Sequence, residues 1–303
     1  MRGGVLGRAE AGASNQATTG PAGARRALAA AVGQACAAAG RPPSAVAGAC
    51  FGLAGLDHPS DEAVFRAAVE PLGLGVPALL VNDAVIAWAG ATGGAAGIAV
   101  IAGTGSVAYG RNGAGTGGRA GGWGGVLGDE GSAYRLAAGA VNRVLRAVDG
   151  RDRPTALAAL LAAAAGVPDP ADLCLLARAG RGEGEPVEAV IARLAPAVAA
   201  AAAAGVPEAQ ALVDEAGAEL ASLAAALAAR LGLEAPAVHG LGSVLLARGP
   251  VAQAADAQLR ARLGVGLLPP RHPALVGALV LAHEQARGAL PAESLCRAWG
   301  AAG

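Results

Sequence analysis

The stretch that most constrains this chain is residues 97–132, where a buried-strand pattern runs directly into glycine-rich turns. Its first six residues, GIAVIA, are apolar and partly β-branched, which is typical of a short strand buried on both faces. The next four, GTGS, predict a turn into a second strand, because glycine allows positive φ and a close approach of ligand to backbone. Their hydroxyls and N–H groups suit a phosphate, although a ligand-free hairpin explains these four residues equally well.

A second glycine-rich cluster follows closely, with GGWG at 121–124 and GDEGS at 128–132. Asp129 and Glu130 are adjacent acids between glycines. A packed hydrophobic core has no use for such a pair, whereas a ligand site can use it for binding. The two clusters together therefore predict a binding site in this part of the chain.

The chain has no lysine, so all 23 of its basic residues are arginine. P-loop NTPases, protein kinases and pyridoxal enzymes each need a lysine for phosphate binding or a Schiff base. These mechanisms are excluded. A protein of this composition that handles nucleotide phosphates must use backbone N–H groups, hydroxyls and a metal ion.

The net charge is zero and 15% of the residues are charged, which argues against nucleic-acid and membrane partners. The four cysteines are far apart and the four histidines lack ligand spacing, so neither a disulfide framework nor a zinc site is predicted. The longest Ala/Leu runs are about half of the roughly 20 residues that a membrane span requires. A cytoplasmic protein fits these observations best.

Strand and helix patterns alternate along the first third of the chain, which predicts an α/β fold with parallel strands. The third strand delivers Asn82 and Asp83 at its carboxyl end, where α/β folds place working residues. Asn15 lies in a polar loop, where turn formation is an alternative role. The predicted strands are 4–9, 46–53 and 78–81, and the predicted helices are 21–40, 61–72 (capped by Ser60) and 84–89.

The hairpin at Gly97 opens a second lobe, in which Ala/Leu-rich helices dominate residues 154–247. A strand at 237–241 ends in a second Gly-x-Gly-Ser turn, which is either a simple strand-to-helix connection or a backbone platform for a nucleotide. Apolar helices are predicted at 274–286 and from Pro291 onward.

Five motifs stand out along the chain: FGLAGLDHP (51–59), VNDA (81–84), IAGTGSVAYGRN (101–112), GGWGGVLGDEGSAY (121–134) and HGLGSVL (239–245). In this order they resemble the BadF/BadG/BcrA/BcrD ATPase family, within the acetate and sugar kinase/Hsc70/actin superfamily, whose best-known members are N-acetylglucosamine kinases. The resemblance implies two ribonuclease-H-like (actin-like ATPase) lobes with ATP bound in a cleft between them. It divides the chain into residues 1–94, completed by a helix at 290–303, and residues 95–289.

The same resemblance implies ATP-dependent phosphorylation of an amino sugar or related hexose, with Mg²⁺. Asp83 matches the catalytic carboxylate that accepts the proton of the attacking sugar hydroxyl. The implied nucleotide-binding residues are Gly103, Thr104, Gly105, Ser106, Gly240, Gly242 and Ser243, and the implied sugar-binding residues are Ser14, Asn15, Gly122, Trp123, Gly124 and Asp129.

The sequence departs from the family pattern at two places. The sequence has no D-G-G-G-T turn before Gly4, so we expect a first lobe without its initial hairpin and weak ATP binding and turnover by the chain as written. Val107 occupies the place of the asparagine that follows GTGS in N-acetylglucosamine kinases. Glucosamine or another hexose is therefore as good a candidate substrate as N-acetylglucosamine.

Two other functions stay open at this point. The same family includes ATPases that activate acyl-CoA dehydratases and reductases through an iron–sulfur cluster shared across a dimer, but those need cysteines in glycine-rich loops. Cys36 falls in a predicted helix and Cys50 in a predicted strand. A non-catalytic sugar-binding descendant is the second alternative, and a homodimer is possible in each case.

Overall fold

A computed structural model describes residues 4–178 and 185–287. Within these ranges the strands are β1 (Ala49–Leu53), β2 (Ala78–Asn82), β3 (Gly97–Ala102), β4 (Ser106–Arg111), β5 (Gly117–Gly121), β6 (Val238–Leu241) and β7 (Leu267–Leu268). The twelve α-helices among these residues are α1 (Gln16–Ala38), α2 (Pro59–Val69), α3 (Asp83–Thr92), α4 (Gly124–Leu127), α5 (Ala133–Val148), α6 (Leu157–Ala165), α7 (Val187–Ala192), α8 (Ala195–Ala203), α9 (Pro207–Leu231), α10 (Ser243–Leu246), α11 (Pro250–Leu263) and α12 (Ala274–Arg287).

The chain forms two compact units, and the first combines the described residues up to Ala95 with those from Pro270 onward. Its sheet contains the parallel pair β1 and β2, in register from Ala49 opposite Ala78 to Leu53 opposite Asn82. The helices α1 and α2 cover this pair through a small core that contains Phe65 and Leu53. These elements place the ends of β1 and β2 side by side.

Local capping fixes where the helices of the first unit begin. His58 caps α2 by accepting from the Ser60 N–H, and the Asp61 side chain accepts from the His58 N–H, which completes a capping box. The cap is thus His58 and not the Ser60 predicted from sequence. Asn82 caps α3 in the same way by accepting from the Ala84 N–H at 2.9 Å.

The second unit, residues 96–269, contains a five-stranded sheet in the order β5-β4-β3-β6-β7. The strands β3, β4 and β5 are antiparallel neighbours, while β6 runs parallel to both β3 and β7. This is the ribonuclease-H-like order, and it confirms the predicted α/β fold class. The hairpin from β3 to β4 also confirms the predicted turn at GTGS.

The core of the second unit lies between this sheet and its helices. The long helix α9 buries Leu220, Leu227 and a row of alanines, and it packs against β3, β4 and β5. On its other side α11 comes so close that a Cβ on Gly217 would lie 2.5 Å from the Ala254 Cβ. Small residues therefore explain how an alanine-rich sequence builds a dense helical layer.

Two predictions about the first unit are wrong. Residues 4–9 form no strand; they run as irregular chain beside α1, where a Cβ on Gly7 would overlap the Ala35 carbonyl O. Two glycines within six residues leave few side chains to pack. Residues 274–287 also do not join the second unit, because α12 packs on α3 and β1. The predicted helix at 290–303 lies outside the described residues.

In the described ranges no single helix is both long and apolar enough to cross a membrane, although two bent helix pairs reach that length and composition together.

Candidate functional site

The first group of candidate residues lies where β2 passes into α3. Asn82 is the last residue of the strand, and Asp83 is the first residue of the helix that Asn82 caps. The other end of the Asn82 amide donates to the Leu56 carbonyl O at 3.3 Å and to Asp57 Oδ1 at 3.1 Å. The loop after β1 therefore holds the turn that presents Asp83.

The polar segment at 14–16 joins the same loop. Gln16 Nε2 donates to Asp61 Oδ1 at 3.1 Å and lies 3.4 Å from the Gly55 carbonyl O. The Asn15 side chain lies so near Gly55 that a Cβ there would be 2.7 Å from Asn15 Oδ1. Gly55 also has a φ of 84°, so this position favours glycine for two reasons. The segment at 14–16 and the turn at Asn82 thus both contact the loop after β1.

Asp83 has a perturbed acidity. Its side chain reaches the surface, yet the surrounding protein displaces part of its water, and this desolvation raises its pKa. The negative charge of Asp57 raises the pKa further, while hydrogen bonds from the backbone lower it. A carboxylate with raised pKa is a better proton acceptor than an ordinary surface aspartate.

The second group of candidates lies at the carboxyl end of β3. The GTGS turn is closed by the Gly103 N–H, which donates to the Gly105 carbonyl O at 2.9 Å. The first residues of α5 bind the turn in return, with the Ala133 N–H donating to the Gly103 carbonyl O at 2.8 Å. This contact unites the two glycine-rich clusters that the sequence analysis singled out.

Ser106 serves the structure of this turn. It is buried, its hydroxyl donates to the Glu130 carbonyl O at 2.7 Å, and its N–H donates to Asp129 Oδ1 at 3.2 Å. The hydroxyl that was expected to face a phosphate is therefore engaged inside the unit. The Thr104 side chain is exposed, so it is the hydroxyl of this turn that can meet a ligand.

Asp129 is held against the turn in a left-handed conformation, with a φ of 59°. A Cβ on Gly105 would lie 2.8 Å from Asp129 Oδ2, so the third position of GTGS has to be small. Desolvation raises the pKa of Asp129, the charges of Glu130 and Glu188 add to this, and the Ser106 N–H and Arg135 oppose it. Among the predicted sugar ligands, Asp129 is thus fixed next to the predicted phosphate turn.

The turn after β6 lies directly beside the turn after β3. Gly242 has a φ of 81°, and a Cβ on it would overlap the Ala102 carbonyl O. The turn opens on a hollow of about 330 Å³. The lining of this hollow is mainly apolar and includes Ala133, Leu136, Ala195, Pro196, Ser243 and Val244. Gly240, in contrast, is a buried residue of β6 that packs against Leu267.

The loop at 122–124 lies next to β4. A Cβ on Gly122 would be 2.9 Å from Val107 Cγ2, so Val107 supports this loop. Trp123 is 67% exposed, and the Arg119 guanidinium lies 5.2 Å from its ring centre. An exposed tryptophan of this kind can cover the apolar face of a sugar ring.

In the first unit, the Asn15 side chain and the Asn82–Asp83 turn both lie against the loop after β1. In the second unit, Asp129 lies against the turn after β3, which is itself next to the turn after β6. Convergence of the two groups on one ligand stays a prediction, as does the role of Ser14. Sequence analysis missed Gln16, Asp57 and Asp61. Asp57 carried a usable signal, because it follows a strand that runs parallel to and beside the strand that ends at Asp83.

Among the described residues, no group of three or more His, Cys, Asp or Glu side chains could hold a metal ion. A Mg²⁺ ion that arrives with nucleotide takes most of its ligands from phosphate and water, so it does not need such a group. No residue is assigned as a Mg²⁺ ligand.

Comparisons with known proteins agree with the fold. The model of the BadF/BadG/BcrA/BcrD ATPase family matches residues 1–282. A solved structure from Chromobacterium violaceum, provisionally named an N-acetylglucosamine kinase, superposes with a TM-score of 0.69 at 29% identity, covering 91% of this chain and 90% of that one. A second structure of the same provisional name, from Porphyromonas gingivalis, has a TM-score of 0.61 at 19% identity and 86% coverage of both chains, which supports the fold alone.

Two curated relatives match over shorter segments. The N-acetylmuramic acid/N-acetylglucosamine kinase of Clostridium acetobutylicum is 43% identical over 108 residues, which is 36% of this chain and 35% of that protein. The N-acetyl-D-glucosamine kinase of Dictyostelium discoideum is 37% identical over 114 residues, which is 37% of this chain and 36% of that protein. The chain thus aligns with about a third of the length of each.

Proposed function

This chain belongs to the BadF/BadG/BcrA/BcrD ATPase family, and on that premise we propose that it is an ATP-dependent amino-sugar kinase. The observation that carries the proposal is the pair of glycine turns at the carboxyl ends of the neighbouring parallel strands β3 and β6. Adjacent turns with close backbone approach are suited to phosphates, and the apolar hollow beside Ser243 is suited to a nucleotide base.

In this proposal the exposed Thr104 hydroxyl and the backbone of the first turn bind the phosphates, in the absence of any lysine. The sugar hydroxyl attacks the γ-phosphorus, its proton passes to the Asp83 carboxylate, and ADP leaves. General-base help of this kind contributes roughly 10²- to 10⁴-fold to the rate. Mg²⁺ bound to ATP would neutralise phosphate charge when present.

The sugar is proposed to lie against Asn15, Trp123 and Asp129. Carboxylate and amide side chains fix hydroxyl groups, and the exposed indole covers an apolar ring face. Val107 is apolar where the N-acetylglucosamine kinases carry asparagine, so glucosamine and N-acetylglucosamine are both proposed substrates. The names of the curated relatives add N-acetylmuramic acid to the sugars worth testing.

The cysteines favour a kinase over an activator with an iron–sulfur cluster. Cys36 lies on α1, Cys50 on β1 and the exposed Cys174 in the 3₁₀ helix Pro170–Arg178, so none of these three lies in a glycine-rich loop, while Cys296 is outside the described residues. Burial raises the pKa of the Cys50 thiol to about 12, so this thiol stays protonated at neutral pH. A protonated thiol is a poor cluster ligand.

The test is to incubate the protein with ATP and each of four sugars: glucosamine, N-acetylglucosamine, N-acetylmuramic acid and glucose. Formation of ADP and of a sugar phosphate, followed by mass spectrometry, is expected with at least one amino sugar, at the low rate that the sequence analysis predicts. A Val107→Asn variant is the matched probe of specificity, with a higher ratio of N-acetylglucosamine to glucosamine turnover expected. ATP hydrolysis that no sugar stimulates, with no sugar phosphate formed, would contradict the proposal.

A further inference from the structure

We propose that Asp57 is a positioning residue for Asp83: through Asn82 it holds the turn that presents Asp83, and it keeps a second negative charge beside that carboxylate. The role of Asp83 as proton acceptor rests on the proposed function. The arrangement around Asp57 does not, because it follows from hydrogen bonds within the first unit.

The mechanical part of the argument is a chain of hydrogen bonds. Asn82 uses Oδ1 to cap α3 and Nδ2 to bind Asp57 Oδ1, so its amide plane is fixed at both ends. The Asp57 N–H in turn donates to Asp61 Oδ2 at 3.1 Å, and Asp61 Oδ1 accepts a hydrogen bond from Gln16 Nε2. A shift of Asp57 is therefore transmitted to the first turn of α3, where Asp83 lies.

The electrostatic part depends on which charges act on Asp83. On α2 and its cap the neighbouring titratable groups are His58 and Asp61, and the capping box engages both. On the α12 side, the Arg271 and His272 N–H groups donate to the carbonyls of Ala91 and Gly90, so these residues meet the far end of α3. That end is about 10 Å or more along the helix from Asp83. Asp57 is the charged side chain whose field raises the pKa of Asp83.

A nearby negative charge helps a general base, because a base whose pKa lies closer to the working pH accepts a proton more readily. Two carboxylates of like charge repel each other and reduce stability, and such arrangements are concentrated at functional sites. Asp57 thus makes Asp83 more basic while the Asn82 bridge fixes the geometry of the turn.

The test separates charge from hydrogen bonding. Asp57→Asn removes the charge and keeps an acceptor oxygen for Asn82, Asp57→Ala removes both, and Asp57→Glu keeps the charge. The titration of the Asp83 side-chain carboxyl carbon is followed by ¹³C NMR in each protein. Asp57→Asn is expected to lower the pKa of Asp83, and Asp57→Glu is expected to restore it toward the wild-type value.

Glu62→Gln is the matched control, since it removes one negative charge from α2 at a residue that pairs with Arg66 on the surface. It is expected to leave the Asp83 titration where it is. In the kinase assay, the acidic limb of the kcat/KM profile is expected to move to lower pH in Asp57→Asn but not in Glu62→Gln. Asp57→Ala is expected to lose more kcat than Asp57→Asn, because it also removes one of the two acceptors of Asn82 Nδ2.

An Asp83 titration that is the same in wild type and Asp57→Asn would overturn the inference, as would an equal shift in Glu62→Gln. Because the NMR readout does not require turnover, its result is separate from that of the proposed function. A shifted titration without sugar phosphorylation would leave the coupling of Asp57 to Asp83 intact and refute the kinase proposal. Sugar phosphorylation with an unshifted Asp83 titration would support the kinase proposal and refute the coupling of Asp57 to Asp83.

Discussion

The two units build their parts of the candidate site by different means. In the second unit the site is built mainly from backbone groups. The turns after β3 and β6 are fixed by main-chain hydrogen bonds and by glycines that allow close approach of neighbouring backbone. In the first unit, side chains from three segments make the site, with Asn82 and Gln16 as the connecting amides. Substitutions that add atoms, such as glycine to alanine, should therefore affect the second unit most. Substitutions that change a functional group but keep the shape of the side chain, such as aspartate to asparagine, should affect the first unit most.

The largest effect is expected from Asp83→Asn, which changes one functional group and no shape. Loss of the proton acceptor should lower kcat at least roughly 100-fold and leave nucleotide binding almost unchanged, because nucleotide is assigned to the second unit. Steady-state kinetics and calorimetric ATP titration measure the two quantities. Glu70→Gln, an exposed acid of the same unit, is the control. Comparable turnover in the Asp83→Asn protein would remove Asp83 from its assigned role.

Next in size is Gly242→Ala, which adds one methyl group to the second unit. Its Cβ would overlap the Ala102 carbonyl O in a conformation that alanine rarely adopts, so we expect a loss of about 2 to 4 kcal/mol in unfolding free energy. Urea unfolding measures this loss, and ATP affinity should fall with it. Gly103→Ala is the matched control, since nothing lies within 4 Å of the added Cβ. Equal losses in the two variants would contradict the close-approach argument.

The smallest effect is expected from Asp129→Asn, which changes a side chain in the unit whose turns are fixed mainly by main-chain hydrogen bonds. Its raised pKa means that the folded state disfavours the charged carboxylate, so stability falls as pH rises through that pKa. The variant should therefore be slightly more stable than wild type at pH 7, by less than about 1 kcal/mol because solvent screens a partly exposed carboxyl. The gain should shrink as pH falls below about 4, where wild-type Asp129 becomes protonated in both the folded and the unfolded state. Thermal unfolding across this range checks it; a gain that grows at low pH would be inconsistent with a raised pKa.

This contrast also explains what the sequence could predict. The glycine turns were predictable because glycines and a strand are adjacent in sequence, and the position of Asp83 directly after a strand was predictable for the same reason. Gln16 and Asp61 were not, because they meet across 45 residues and depend on how α1 and α2 pack. The strand predicted at 4–9 failed for a related reason: a strand needs a partner, and the composition of six residues does not report one. Ser106 shows that the sequence also does not reveal the partner of a hydroxyl group. Its hydroxyl lies in the predicted phosphate turn but donates to the Glu130 carbonyl O inside the unit.

The packing of α12 has a consequence for the order in which the protein forms during synthesis. The helix crosses α3 at Gly90 and Gly277, where backbones touch closely enough that a Cβ on Gly277 would overlap the Ile86 carbonyl O. The first unit thus needs a segment that leaves the ribosome after the whole of residues 96–269. The second unit, although it is encoded later, is the first to have all its described elements available. Nascent chains that end near residue 270 should hold a protease-resistant second unit beside a first unit that is still open to cleavage.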